Sequence, residues 1–249
     1  MGDYLDAVDL GADHDYSDIK ASNGFTCISS TKGKLRCFGR NDEGQLGLGD
    51  TNNRGDESNE MGDFMNDVDL GTGFNISATD MPSGYGGSHS IIIDNDLDVK
   101  AWGSNTYGQC GNGDESGDVV GDESNEMGDY LGTLDLERVP TALPTTDPSG
   151  YPTAAPTSIP EPHFSLNAKS TCSVWDDEVK CWGDRSVVDP TYAGTTKDPA
   201  YWYRPQIDAL DIGDDFTPDS VSCGRTHQCA LSINGTVRCW GDNRFVLCP

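Results

Sequence analysis

The stretch CALSINGTVRCWG at residues 229–241 decides the fold of this chain. Two short apolar runs are joined by Asn234-Gly235. Such a dipeptide between alternating apolar residues strongly favours a β-hairpin, because both residues can adopt a positive φ in a tight turn. The hairpin places Cys229 opposite Cys239 and ends in Trp-Gly. A two-stranded unit that its own cysteines can close is therefore predicted here.

The same hairpin is used four times. Residues 27–39 read CISSTKGKLRCFG, and residues 172–183 read CSVWDDEVKCWG. An altered copy at residues 91–103, IIIDNDLDVKAWG, carries Ile91 and Ala101 where the other copies have their two cysteines. Loss of both cysteines at once is expected of a bonded pair and not of two independent ligands or nucleophiles. The sequence therefore predicts three hairpin disulfides: Cys27–Cys37, Cys172–Cys181 and Cys229–Cys239.

A second motif precedes every hairpin and marks the chain as a repeat protein. It reads AVDLG at residues 7–11, DVDLG at 67–71, TLDLE at 133–137 and ALDIG at 209–213. Each unit thus contains this short strand, a connecting segment, the hairpin, a turn and an acidic loop. Glycine is abundant at 30 residues and helical periodicity is almost absent, so the sequence predicts an all-β fold.

The turn after the first hairpin contains an aromatic-Gly pair, an Asn and the sequence Gly-Gln-Leu-Gly. These residues are Phe38, Gly39, Asn41, Gly44, Gln45, Leu46 and Gly47. The pattern resembles the blade repeat of the regulator of chromosome condensation 1 family, over most of the chain outside one proline-rich insertion. The resemblance implies β-propeller-type blades in about four repeat units, the last one incomplete. It implies fold rather than function, because such blades serve exchange factors, ubiquitin ligases, enzyme inhibitors and surface proteins.

The insertion divides the chain into three parts. Prolines recur at every fourth position from Pro140 to Pro160, interleaved with Thr, Ser and Ala, so residues 139–162 can form neither a helix nor a central strand. These residues are predicted to be a Pro/Thr-rich extended spacer. Residues 1–138 then hold the first two propeller units, and residues 163–249 hold the third unit and an incomplete fourth.

The cysteines and the first residues bear on location. Three disulfides imply an oxidising compartment, so we expect an extracellular or cell-surface protein. MGDYL at residues 1–5 matches MGDFM at 61–65 and recurs at 127–131, which places Met1 within a repeat. This start lacks the basic residues and apolar core of a signal peptide. We therefore expect the chain to be a processed piece of a longer protein.

Composition excludes several classes of partner. The chain carries 42 acidic and 16 basic side chains, for a formal net charge of -26. Such a charge repels phosphate backbones and anionic lipid headgroups, so we expect no nucleic acid partner. The sequence has no apolar run long enough to cross a bilayer, and we expect no membrane insertion.

Two identical acidic loops, DESNEMGD at residues 56–63 and 122–129, could hold a metal. Oxygen ligands at alternate positions suit a hard cation such as calcium. The candidate ligands are Asp56, Ser58, Glu60, Asp63, Asp122, Ser124, Glu126 and Asp129. The EF-hand pattern is not met, because the glycine comes one position late and no bidentate glutamate closes the loop. A solvated acidic turn is favoured, with calcium as the alternative, and no other cofactor is expected.

Three cysteines and two asparagines remain to be assigned. Cys110 and Cys248 occupy corresponding positions in the turn, and Cys223 precedes the last hairpin. Three cysteines cannot all pair within the chain, so one is either free or bonded to another chain. Asn75 and Asn234 begin N-glycosylation triplets, and Asn234 is the better candidate because it occupies a predicted turn.

The sequence carries no P-loop, His-Glu-x-x-His, Gly-x-Ser-x-Gly or dinucleotide fingerprint. His89 and His227 share a repeat position, which favours a structural role. We therefore predict no enzyme but an extracellular structural or adhesive glycoprotein module that associates with itself, as a homo-oligomer or a filament. One alternative is a monomeric propeller that recognises a protein partner. A weaker one, by family analogy, is a nucleotide exchange factor.

Overall fold

A computed structural model describes residues 7–12, 15–76, 87–113, 117–134, 136, 162–175, 177–184 and 209–241 of the chain. Structural statements below concern these residues. The predicted spacer lies outside them except for Pro162, and Cys248 lies outside them as well.

The described residues form strands and two short 3-10 helices. The strands are β1 (Tyr16–Ala21), β2 (Phe25–Ser30), β3 (Leu35–Gly39), β4 (His89–Ile93), β5 (Val99–Gly103), β6 (His163–Leu166), β7 (Ser170–Trp175), β8 (Glu178–Gly183), β9 (Pro218–Cys223), β10 (His227–Ser232) and β11 (Val237–Gly241). The 3-10 helices, Gly62–Phe64 and Gly128–Tyr130, fall at the ends of the two acidic loops. The all-β fold predicted from the sequence is confirmed.

Four antiparallel sheets follow one another along the chain, and each is one blade. Their strand orders are β1-β2-β3 in blade 1, β4-β5 in blade 2, β6-β7-β8 in blade 3 and β9-β10-β11 in blade 4. Every blade contains one of the four predicted hairpins. The chain is therefore a row of equivalent β-propeller-type blades.

The hairpin registers place the cysteine positions directly opposite each other. The structure contains the three disulfides Cys27–Cys37, Cys172–Cys181 and Cys229–Cys239. In blade 2, Ile91 stands opposite Ala101 and both are buried, so two apolar side chains occupy the place of a disulfide. A disulfide and an apolar side-chain pair thus occupy equivalent positions in the repeat.

The hairpins of blades 1, 2 and 3 are each completed by the short strand of the next unit, which lies along the free edge of the hairpin. The amide of Val68 donates to the carbonyl of Leu35 at 2.8 Å. The same bond joins Leu134 to Val99 at 2.8 Å and Leu210 to Val179 at 2.7 Å. An unpaired strand edge would leave backbone donors and acceptors unsatisfied. The short strand of the next unit supplies the missing hydrogen-bond partner.

Three apolar cores lie between successive blades. We call the side of a blade that packs on the next unit its front face and the opposite side its back face. The first core combines Cys27, Leu35 and Cys37 with Val68, Leu70, Ile92 and Trp102. The second combines Ile91, Val99 and Ala101 with Leu134, Leu136, Phe164 and Trp182. The third combines Cys172, Val179 and Cys181 with Leu210, Ile212, Val221 and Trp240.

The Gly-Gln-Leu-Gly turn joins blade 1 to blade 2 through one backbone carbonyl. The oxygen of Gln45 accepts from the Trp102 indole at 3.1 Å and from the Ser90 hydroxyl at 2.9 Å. Gly47, at φ 66°, lies so close that an added Cβ would stand 2.7 Å from the Trp102 indole nitrogen. Glycine is required there by both the backbone conformation and the approaching ring.

The second blade junction repeats this arrangement. The carbonyl of Gln109 accepts from the Trp182 indole and from the Thr171 hydroxyl, each at 2.9 Å. The corresponding indole nitrogen of Trp240 is buried and has no hydrogen-bond partner among the described residues. Two of the three junctions described therefore carry this doubly bonded carbonyl.

A basic side chain in every unit fastens the hairpin to the short strand of the same unit. Arg36 donates to the carbonyl of Leu10 at 3.2 Å, Lys100 to Leu70 at 2.7 Å, Lys180 to Leu136 at 2.5 Å, and Arg238 to Ile212. Burial lowers the pKa of Lys100, against the pull of nearby carboxylates. The motif search did not predict this role, although a basic residue precedes the second cysteine position in every copy of the hairpin.

His89 is a buried histidine at the junction of blades 2 and 3. Its Nε2 lies 2.9 Å from the hydroxyl of Thr171, whose own proton goes to Gln109. Nε2 must therefore carry a proton and donate it, while Nδ1 is buried and has no partner in the described part of the chain. A second proton would place an unpaired charge in the core, and burial lowers the pKa of His89 to about 3. The histidine acts structurally, as its repeated position predicted.

The doubly bonded carbonyl gives a first test. Trp102→Phe and Trp182→Phe keep an aromatic ring and remove the indole donor, whereas Trp240→Phe loses ring volume alone. The first two variants should each be less stable than Trp240→Phe by about 1 kcal/mol, the worth of one net hydrogen bond. Urea denaturation of the three variants would measure this, and equal losses would show that the carbonyl contributes nothing.

His89 gives a second test, through pH. Because its pKa is depressed in the folded chain, the unfolded chain binds the extra proton first, and stability is lost as pH falls below about 6.5. His89→Phe, with the residue that unit 1 has at this position, removes that dependence. The wild-type advantage over the variant should shrink by up to about 1.4 kcal/mol per pH unit between pH 6.5 and 4. Parallel stability curves would contradict the buried neutral state.

Candidate interaction surface

The two acidic loops have the same internal structure. In the first, one oxygen of Glu60 accepts from the amides of Gly55 at 2.8 Å and Glu57 at 3.0 Å. In the second, one oxygen of Glu126 accepts from Gly121 at 2.8 Å and Asp122 at 3.1 Å. The amides of Glu57 and Gly55 hold the pKa of Glu60 below its usual value. The glutamates thus close the loops from within.

The aspartates at the ends of the loops fasten them to the short strand of their own unit. Asp63 accepts from the amide of Ala12 at 2.9 Å. Asp129 accepts from the amide and hydroxyl of Thr72 at 2.5 and 3.1 Å, which lowers its pKa. Within the described ranges, no three acidic, histidine or cysteine side chains come together as a metal site. The calcium site stays a prediction.

Two of the unassigned cysteines are thiols inside the blade cores. Cys110 and Cys223 are both buried and unbonded. Burial raises the pKa of both thiols, that of Cys223 to about 12. A thiol that stays protonated is a poor nucleophile and a poor metal ligand, so these two cysteines act as small apolar side chains.

Both predicted glycosylation asparagines are exposed. Asn234 lies at the tip of the β10–β11 hairpin, and Asn75 lies in the loop after the second short strand, where its amide donates to the Gly73 carbonyl at 3.2 Å. Each is accessible to a transferase, and attachment of glycans stays a prediction.

A polar cleft of about 690 Å³ lies beside the first acidic loop. Asn52, Arg54 and Glu57 line it, and Arg54 is paired with Asp50 at 2.6 Å. The lining supplies carboxylates, amides and the hydroxyl of Thr51.

The front face of blade 4 is apolar and exposed. Leu231 and Val237 form one rung of its hairpin and are 38% and 58% exposed. The residues at the Val237 position in the other blades, Leu35, Val99 and Val179, are each 1% exposed, because the next unit covers them. Cys229 and Cys239 are likewise only half-buried. Blade 4 thus presents a surface that is core in blades 1 to 3.

The back face of blade 1 also carries exposed apolar side chains. Val8 in the first short strand is 59% exposed, whereas Val68 at the same position in unit 2 is buried. Ile19 in β1 is 62% exposed. A cleft of about 470 Å³ lies beside Val8 and is lined in part by Phe38 and Met61. The sequence patterns do not single out Val8 and Ile19, because the exposure of these side chains depends on which blade faces pack together.

The repeats match a known family. The family described as Regulator of chromosome condensation (RCC1) repeat matches residues 16–45, 84–109 and 219–245. A bifunctional serine/threonine-protein kinase/NEDD4-like E3 ubiquitin-protein ligase of Dictyostelium discoideum is 33% identical over 112 residues, which is 45% of this chain and 6% of that protein. The match therefore concerns a repeat region and not the whole relative.

Solved structures agree on the fold. Human WBSCR16 superposes with a TM-score of 0.60 at 15% identity, over 93% of this chain and 49% of that one. Yeast RCC1 (Prp20) bound to Kap60 gives 0.59 at 19% identity, over 95% and 46%. Prp20p of Saccharomyces cerevisiae, described with its binding to Gsp1p and histones, gives 0.59 at 18%, over 94% and 47%.

The chain thus spans about half the length of these solved propellers, and such low identities establish fold alone. The blades, the Gly-Gln turns and the three matched segments together show that the chain contains regulator of chromosome condensation repeats folded as β-propeller blades, with disulfides across three of the hairpins.

Proposed function

We propose that this chain is a non-enzymatic extracellular module with a structural or adhesive role, and that it acts by binding protein. Repeat propellers of this family are a protein-interaction module type. The observation that carries the proposal is the row of four antiparallel blades of this repeat type, three of them bridged by hairpin disulfides.

The three disulfides support an extracellular location for this protein. Three disulfides persist only where thiols are oxidised, and they bridge hairpins in blades 1, 3 and 4. None of the helices in the described ranges has the length and apolar character that a membrane crossing requires. The solved structures of yeast Prp20 are described with protein partners, namely Kap60 and Gsp1p. These partners support protein binding as a use of this fold.

An impermeant amine-reactive cross-linker on intact cells would test location and binding together. Lys34 and Lys20 are reactive positions on blade 1, with side chains 56% and 31% exposed. We expect cross-links between these lysines and another polypeptide without permeabilising the cells. Peptide mapping without reduction should also show the three hairpin pairs. Reaction only after permeabilisation, with six free hairpin thiols, would contradict the proposal.

The acidic loops give a separate prediction about calcium. If the loops hold calcium, a chelator should lower the melting temperature, because a ligand that binds only the folded state stabilises it. Asp56→Asn with Asp122→Asn should abolish the difference, whereas Glu57→Gln with Glu123→Gln, which removes the same charge beside the predicted ligands, should preserve it. An unchanged melting curve with chelator would leave the loops as hydrogen-bonded acidic turns.

A further inference from the structure

The third core, between blades 3 and 4, holds a free thiol together with a disulfide. Cys223 is buried and unbonded, and it shares this core with the bonded pair Cys172 and Cys181. The first core contains the disulfide Cys27–Cys37 and the second contains the thiol of Cys110, but within the described ranges neither contains both. The two groups that thiol–disulfide exchange requires therefore meet at this one blade junction.

The strand register places the thiol beside the disulfide. Ser165, Cys172 and Cys181 stand opposite one another across β6, β7 and β8, so they form one rung of blade 3. Residues paired across a sheet point to the same face, which puts the Ser165 side chain next to the disulfide. The Cys223 amide donates to the Ser165 hydroxyl at 2.9 Å, and the Cys223 thiol donates to the Ser165 carbonyl at 3.3 Å. These two bonds hold the end of β9 on this rung.

The environment of Cys223 keeps the thiol inactive while the junction is closed. Burial raises the pKa of Cys223 to about 12, although hydrogen bonds from the Ser165 side chain and the Cys172 backbone act in the opposite direction. Only a thiolate attacks a disulfide, so the buried thiol does not react. The hydrogen bond from Cys172 identifies this residue as the half of the disulfide that Cys223 contacts.

The fold does not require a cysteine at this position. The equivalent last residues of β1 and β6, which pair with the same position of the following strand, are Ala21 and Leu166. Apolar side chains without a thiol therefore occupy this position in two other units. Cys223→Ala should accordingly fold as the wild type does.

The third junction also has fewer hydrogen bonds than the other two. Trp102 and Trp182 each donate to the carbonyl of a preceding turn, at 3.1 and 2.9 Å. The indole nitrogen of Trp240 is buried without a partner in the described part of the chain. An unsatisfied buried donor weakens the packing around it, so we expect this junction to open before the other two.

We propose that Cys223 exchanges with the disulfide Cys172–Cys181 when the junction of blades 3 and 4 opens, and that the cross-link moves from within blade 3 to between the two blades. The Cys223 thiolate attacks the Sγ of Cys172, so that the Cys172–Cys223 bond forms and the Cys172–Cys181 bond breaks. Cys181 leaves as a thiolate and takes up the proton that Cys223 released. The numbers of disulfides and thiols are unchanged, so the step needs no oxidant and no reductant.

The exchange changes what the cross-link restrains. The bond present in the structure closes residues 172–181 within one hairpin. The new bond closes residues 172–223 and joins two blades, and a longer closed loop restrains the unfolded chain more strongly. Opening of the weakest junction is thereby followed by its covalent closure. This property of the fold goes beyond the proposed function and does not depend on any binding partner.

Disulfide mapping of the 249-residue chain in urea tests the inference. The chain is incubated at about pH 8.5, the ordinary pKa of a thiol, in a urea series up to the onset of unfolding. Free thiols are then alkylated and the peptides are mapped without reduction. The wild type should gain a peptide pair joined through Cys172 and Cys223, with Cys181 alkylated in equal amount. The yield should rise with urea, because urea favours the open junction, while Cys27–Cys37 persists.

Two variants separate Cys223 from the other thiols. Cys223→Ala should keep Cys172–Cys181 throughout the series. Cys110→Ala with Cys248→Ala leaves Cys223 as the one cysteine outside the hairpin pairs and should exchange as wild type does. Cys110 is the matched control, because it is also a buried thiol with a raised pKa but its core has no disulfide.

Three results would overturn the inference. They are a wild type that keeps Cys172–Cys181 up to the onset of unfolding, loss of that pair in Cys223→Ala, and pairing of Cys110 as frequent as that of Cys223. Urea denaturation curves followed by tryptophan fluorescence check that the variants fold and mark the onset of unfolding for each.

Discussion

The hairpins of blades 1, 2 and 3 each have a free edge, and the short strand of the following unit completes it. The carbonyls of Leu35, Val99 and Val179 each receive an amide from that strand. Because an unpaired edge leaves backbone groups unsatisfied and invites other chains, the order of the units and the packing of the blades follow from this one requirement. Disulfides, glycines and aromatic rings then refine a junction that backbone pairing has already specified.

The strong acidity of the chain is compatible with this packing because few carboxylates enter the cores. Glu60, Glu126 and Asp129 sit at loop surfaces where backbone amides stabilise their charge. One basic side chain in each unit is used differently, since it donates to a carbonyl of the short strand; Arg36 and Lys100 are buried in this position. Four of the 16 basic residues therefore serve a structural purpose.

The same physics links fold and interaction. A junction between blades uses apolar burial and one edge bond of the backbone. Val237 and Val8 are exposed where their counterparts are buried. In a repeat protein, equivalent side chains can therefore differ in exposure according to what packs on them, which the repeat pattern alone does not record.

The sequence by itself determined the hairpins, the three disulfides, the four units and the type of repeat, because turn chemistry, cysteine pairing and repeat register are local properties. The sequence also revealed the Gly-Gln turn as a motif. It did not reveal that the carbonyl of Gln45 accepts hydrogen bonds from Trp102 and Ser90 of the next blade. Only the tertiary structure decided which equivalent residues are covered. Leu35 and Val237 occupy the same position in the repeat, and their difference in exposure arises from what packs on them, which no local pattern encodes.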